Sequence, residues 1–78
     1  MKLSVLSQVP AGRTVRVVEN TCDRNLEKRL EDLGLIPGAE VCCLHRSPSG
    51  SPAAYDIQGA AIALRKCDAE KIWVEEAT

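Results

Sequence analysis

The first clear pattern along the chain is alternation. From Thr14 to Glu19, Val15 and Val17 fall on one side of an extended segment and Arg16 and Val18 on the other. That is the period-2 signature of a half-buried strand. The turn Pro10-Ala11-Gly12 precedes it, and Leu3 and Leu6 are expected to fold back over one mouth of the core. The period then lengthens. Leu26, Leu30 and Leu33 recur at i, i+4 and i+7 among charged residues, which predicts an amphipathic helix over about residues 23–33. Thr21, Asp23 or Asn25 can cap its start. Gly34 predicts a left-handed stop, after which Leu35 folds back on Leu30.

Turn chemistry organises the remainder. Ile36-Pro37-Gly38-Ala39 places Pro and Gly where a tight turn needs them and leads into a strand from Glu40 to Arg46. The polar loop Ser47-Pro48-Ser49-Gly50-Ser51-Pro52 suits a hairpin connection. A return strand follows from Ala53 to Gln58, with Tyr55 and Ile57 on one face. Gly59 interrupts the pattern and suggests a sharp corner in a barrel. Ala61 to Arg65 is the next strand, placing Ile62 and Leu64 inward. A short helical turn over Cys67 to Lys71 then precedes a last strand, Ile72 to Glu75. The expectation is a mainly β fold: a small closed barrel of about five antiparallel strands, one inserted helix and a short C-terminal helical turn. Closure would remove the exposed strand edges.

With 78 residues, the chain is expected to form a single domain over 1–78. A chain of this size buries only about 60% of the surface its unfolded form exposes. An apolar fraction of 45% and a charged fraction of 27% fit a globular protein and argue against disorder. The formal charge of -1 offers no basic excess for phosphates, so nucleic-acid binding is disfavoured. One Tyr, one Trp and no Phe give no aromatic platform for bases or Pro-rich peptides. No stretch approaches the roughly 20 apolar residues of a membrane span. The N-terminal apolar stretch is broken by Ser4, Ser7 and Gln8 and lacks a small-residue cleavage site, so the expected location is the cytoplasm.

Leu30-Glu31-Asp32-Leu33-Gly34-Leu35-Ile36-Pro37-Gly38-Ala39-Glu40-Val41 resembles the L-x-x-L-G-L-x-P-G-x-x-V signature of FeoA domains. The similarity continues through Pro48 to Pro52 with Gly50, then Gly59, Ala63 to Lys66 and Ala69 to Val74, in order and spacing. Leu3-Ser4, Gly12 and Val17-Val18 look like the family's opening. The same signature occurs in the C-terminal SH3-like domain of DtxR-like repressors. The resemblance implies an SH3-like barrel and a non-enzymatic bacterial accessory of ferrous iron uptake. It also implies a partner, the cytosolic GTPase region of a FeoB-type membrane transporter, and a place at the inner membrane through that partner. The signature residues Leu30, Leu33, Gly34, Leu35, Pro37, Gly38, Gly50 and Gly59 are turn and core positions, so they specify a fold rather than a chemistry.

Candidate contact residues come from the charged helix face, Arg24, Lys28 and Arg29, and from Tyr55, Arg65 and Trp73, because aromatics and arginines dominate interface energetics. Alternation with Ile72 and Val74 turns Trp73 away from the core, where it would mark a partner or self-association surface flanked by Arg65 and Lys66. A homo-oligomer is one such outcome. No catalytic residue is expected, since His45 stands alone without a nucleophile or base beside it. Neither a cofactor nor a metal site is favoured. Cys22, Cys42, Cys43 and Cys67 form no C-x-x-C pair. Cys42 and Cys43 are adjacent on a strand and point to opposite faces. Weak transition-metal binding, if present, would use Cys43 with His45 on the same face. That is the competing reading, a small iron sensor or chaperone. A regulatory domain acting on a transcription factor in trans is a third.

Overall fold

The helix is present, and its ends are built from the residues that announce them. In a computed structural model describing residues 3–77, α1 covers Arg24–Asp32. The Asp23 carboxylate accepts from the Leu26 N–H at 3.1 Å, so Asp23 is the cap among the three candidates. At the other end the Gly34 N–H donates to the Glu31 carbonyl and the Leu35 N–H to the Leu30 carbonyl, each at 2.9 Å. This pair of bonds is the Schellman stop, and it needs the positive φ of +105° that Gly34 supplies. Leu30 and Leu35 are both buried in the core. Leu33 departs from the expected stripe. It is the C-cap and 41% exposed, because Leu35, after the chain reversal, takes the core position that another helical turn would have filled.

Six strands form one antiparallel sheet: β1 Leu3–Val5, β2 Thr14–Asn20, β3 Glu40–Arg46, β4 Ala53–Ile57, β5 Ala60–Leu64 and β6 Ile72–Glu76. A short helix, α2, occupies Lys66–Ala69. The order across the sheet is β1-β6-β2-β3-β4-β5. Three expectations are corrected here. A sixth strand, β1, exists and pairs Leu3 with Glu75 and Val5 with Trp73. Leu3 therefore lies 54% exposed on the sheet, and Leu6 alone covers the core. Gly59 is not a corner within a strand. With Gln58 at φ +52° and Gly59 at +87°, the two form a tight hairpin turn between Ile57 and Ala60. Finally, hydrogen bonding does not close the sheet into a barrel, and β1 and β5 remain as its edges.

What joins the two ends of the sheet is side-chain packing. Side chains from β2 to β6, α1 and α2 meet in one cluster with Leu6 and Val9 from the segment after β1. Tyr55 sits at its centre, fully buried, with its hydroxyl 3.5 Å from the Leu6 carbonyl. Arg46, at the end of β3, donates to the Ser7 carbonyl at 2.6 Å and to the Val9 carbonyl. Charge-assisted bonds of this kind are worth roughly 1.5–3 kcal/mol each. Arg46 thus pins the segment carrying Leu6 over the β3–β4 face, which hydrogen bonds between strands leave open.

Candidate functional site

A cleft of about 350 Å³ lies where α1 passes β5. Asp23, Asn25, Leu26 and Arg29 line one wall and Ala63, Leu64, Arg65 and Asp68 the other. The helix is held alongside by Leu26 and Ile62, both packed on the core from the two sides, and by Gly34, which meets the Gln58 side chain where β5 begins. Two of the predicted contact residues, Arg29 and Arg65, are brought together here. Arg65 donates from Nε to Asp68 Oδ2 at 3.1 Å. That bond, with the charge of Asp68, pushes the guanidinium further up from its already high pKa. Arg29 pairs with no carboxylate among the described residues. Arg24 and Lys28 are exposed on α1, and neither is a wall of the cleft.

The other predicted residues lie elsewhere. Trp73 is 41% exposed, as its alternation implied, but it stands on β6 between Val5 of β1 and Glu19 of β2. Arg65 does not flank it. A bulge at Val18 adds a further exposed apolar side chain next to Glu19. Tyr55 is withdrawn from any surface, since the core needs its bulk and the Leu6 carbonyl takes its hydroxyl. A larger concavity, of about 550 Å³, covers the outer face of β2 to β4 and is lined by Thr14, Glu40, Cys42, Asp56 and Gln58. It contains none of the predicted contact residues, although Gly38 and Gly59 of the signature lie in its lining.

The cysteines do not gather. Cys43 is buried in the core beside Val41, whereas Cys42 lies on the outer face. Between Cys43 and His45 the register of β3 shifts against β4: Cys43 pairs with Tyr55 and His45 with Ala54. The extra residue, Leu44, reverses the alternation there, so His45 is exposed and does not share the face of Cys43. Among the described residues no three His, Cys, Asp or Glu side chains are grouped as metal ligands. Burial pushes the thiol pKa of Cys43 up. It does the same at Cys22, where Asp68 adds to the effect. Thiolate is the reactive form, so both should be inert. With an alkylating reagent at neutral pH, exposed Cys67 is expected to be modified first and Cys42 more slowly. Cys22 and Cys43 should react only on unfolding. Mass spectrometry of the labelled peptides checks the order, and early labelling of Cys43 would contradict the packing described.

These features define a small SH3-like β protein with a helix laid past one sheet edge. Residues 5–76 match the model of the FeoA domain. No curated protein matches the chain. Among solved structures, the FeoA protein from Chlorobium tepidum superposes with a TM-score of 0.91 at 31% identity, covering 95% of this chain and 70% of its own. Stenotrophomonas maltophilia FeoA complexed with zinc, described as a prokaryotic SH3 domain protein, gives a TM-score of 0.81 at 25% identity. That match covers 91% of this chain and 88% of the Stenotrophomonas chain. A manganese-dependent transcriptional repressor shares the fold at 20% identity and a TM-score of 0.82, with 95% of this chain matching 41% of it. The chain belongs to the FeoA family, which is associated with ferrous iron transport. The FeoA domain is not an enzyme fold.

Proposed function

We propose that the chain is a non-enzymatic accessory of ferrous iron uptake that binds the cytosolic GTPase region of a FeoB-type transporter and biases its conformation. The carrying observation is the family match over residues 5–76 together with a cleft that sets Arg29, lacking a carboxylate partner, beside the uncharged edge of β5. A binding role needs an accessible surface with arginine anchors, and the cleft supplies one. The Stenotrophomonas relative has been put forward as a bacterial ferrous iron transport activating factor, which is a role of the same kind. No helix is long and apolar enough to cross a membrane among the described residues, so a place at the inner membrane would come through the transporter. Ferrous ion is the transporter's cargo in this reading. Cells lacking the chain are expected to take up radiolabelled ferrous iron several-fold more slowly at unchanged transporter abundance, with recovery on re-expression. Equal uptake rates with and without the chain would refute the role.

A further inference from the structure

The turn between β4 and β5 fixes which backbone groups of β5 are satisfied. In a two-residue hairpin the residues flanking the turn exchange hydrogen bonds, and along an antiparallel pair such exchanges occur at every second position. Ile57 and Ala60 flank the turn, so Ala60, Ile62 and Leu64 bond to β4 through their partners Ile57, Tyr55 and Ala53. The N–H and C=O groups of Ala61 and Ala63 consequently point away from the sheet. Among the described residues no other backbone group bonds to them.

Exposed strand edges are usually blunted by charge, proline, a bulge or shortness. The edge strand β1 is only 3 residues long. The edge strand β5 carries no charge, proline or bulge, and α1, which passes beside it, leaves a cleft there instead of covering it. Its sequence is Ala-Ala-Ile-Ala-Leu over 5 residues, and its register against β4 runs unbroken from Leu64 to Ala60. Beside it lies the cleft. The outward groups of Ala63 face a space walled by Asp23, Leu26 and Arg29 on the α1 side, with Asp68 also in its lining, and Ile62 is only partly buried at the same edge.

We propose that the β5 edge is a strand-addition site, at which an extended segment of a partner protein pairs with Ala61 and Ala63 and lies between β5 and α1. This deepens the partner-binding reading and rests on it for the kind of partner. The chemistry of the occupant follows from the walls. Backbone pairing demands an extended segment. Alternate side chains on its inward face would meet Leu26 and Ile62 and should be apolar. The walls also carry two carboxylates, but Asp68 is held by Arg65 and Asp23 caps α1. The charge left to answer is that of Arg29, and one carboxylate on the segment would do so. A second copy of the chain fits less well. Antiparallel β5–β5 pairing has its two-fold axis normal to the sheet, which sets both α1 helices on the same side of it, competing for the same space.

The test starts from a library of random short linear peptides panned against the immobilised chain. Peptides with alternating apolar residues and an Asp or Glu should be enriched. On binding, the amides of Ala61 and Ala63 should shift and gain protection from hydrogen exchange. Ala63→Pro removes an N–H that β4 does not use, and proline is tolerated at such edge positions. It should weaken peptide binding at least about tenfold while the spectrum of the folded core is kept. Ala61→Pro serves the same end, and the amide-protection readout needs no variant. Failure to enrich any peptide over the Ala63→Pro chain overturns the site. So does protection mapped to the Trp73 face, or dimerisation through β5 in place of peptide binding. If the transporter's cytosolic region binds wild type and Ala63→Pro equally, the edge site falls and the partner reading stands. If library peptides pair with β5 but that region does not bind, the partner reading falls and the edge site stands.

Discussion

Tyr55→Ala is expected to strip the chain of a large share of its stability. Tyr55 is the largest fully buried side chain, and it sits where β4 faces the segment after β1. Truncating a buried aromatic to alanine costs about 3–5 kcal/mol through lost burial and the cavity left behind. A domain of this size has a total stability of roughly 4–12 kcal/mol. The loss therefore consumes between about a quarter and all of it. The cost should be acute here because the sheet is not closed by hydrogen bonds. Tyr55, with Arg46, holds Leu6 and Val9 against β3 and β4. Where some folded protein remains, the melting temperature should drop by about 20 °C or more. Tyr55→Phe is the control. It keeps the bulk and loses only a long 3.5 Å hydrogen bond, so it should cost less than about 1 kcal/mol. Circular dichroism melts of both variants make the comparison. A cooperative transition in Tyr55→Ala at the wild-type temperature would mean that the core is organised around some other residue.

Gly34→Ala should be nearly as damaging, for a different reason. The residue sits at φ +105°, a conformation that costs an L-residue about 1–2 kcal/mol or more. A Cβ there would also lie 2.5 Å from Cγ of Gln58, inside any tolerated contact, and a tight 3.1 Å from its Cβ. The combined loss should be about 2–4 kcal/mol. Gly38 has a similar φ of +93° and nothing within 4 Å of an added Cβ. Gly38→Ala should therefore show the backbone cost alone. The Gln58 contact can be isolated by adding Gln58→Gly, which removes the side chain and relieves the positive φ of +52° in the hairpin turn. Denaturant unfolding of the two single variants and the double variant should give a favourable coupling of at least about 1 kcal/mol. Additive effects would show that α1 does not end against the β4–β5 turn.

Where the chain was legible in its sequence, the signal was local. Gly34, Leu35, Pro37 and Gly38 specify the helix stop and the next turn through φ preferences that act within a few residues. The structure builds both with the expected bonds. The span Glu40–Arg46 likewise matches β3, because turns bound it on both sides. The misreadings lie where distant segments meet. β1 is short, interrupted by Ser4 and stabilised only by β6 at the other end of the chain. The bulge at Leu44 leaves no mark in an otherwise regular alternation, which therefore predicts His45 on the face of Cys43, whereas the register shift turns it to the other. Arg46 reads as an ordinary charged strand end, yet its guanidinium serves carbonyls of Ser7 and Val9.

The candidate site was legible only in part, for the same reason. Arg29 and Arg65 read in the sequence as arginines on exposed elements, but nothing in their separate contexts places them on one cleft. The free edge of β5 was hidden by the expectation of a closed barrel, in which no edge would remain. Once the sheet order is known, the composition of Ala60–Leu64 acquires a meaning it lacked as a sequence: a strand with no charge or proline, whose outward amides stay unpaired. Tyr55 is the opposite case. A lone tyrosine invites an interface role, and only the fold brings the Leu6 carbonyl to its hydroxyl.

The binding role is tested most directly by titrating the isotope-labelled chain with the purified cytosolic GTPase region of a FeoB-type transporter, under reducing conditions and moderate salt, while following backbone amides. Saturable shifts are expected at Asn25 to Arg29 on α1 and at Ala61, Ala63 and Arg65, with Trp73 and the outer face of β2 to β4 unmoved. A spectrum unchanged at several-fold excess of the transporter region would contradict the binding role itself.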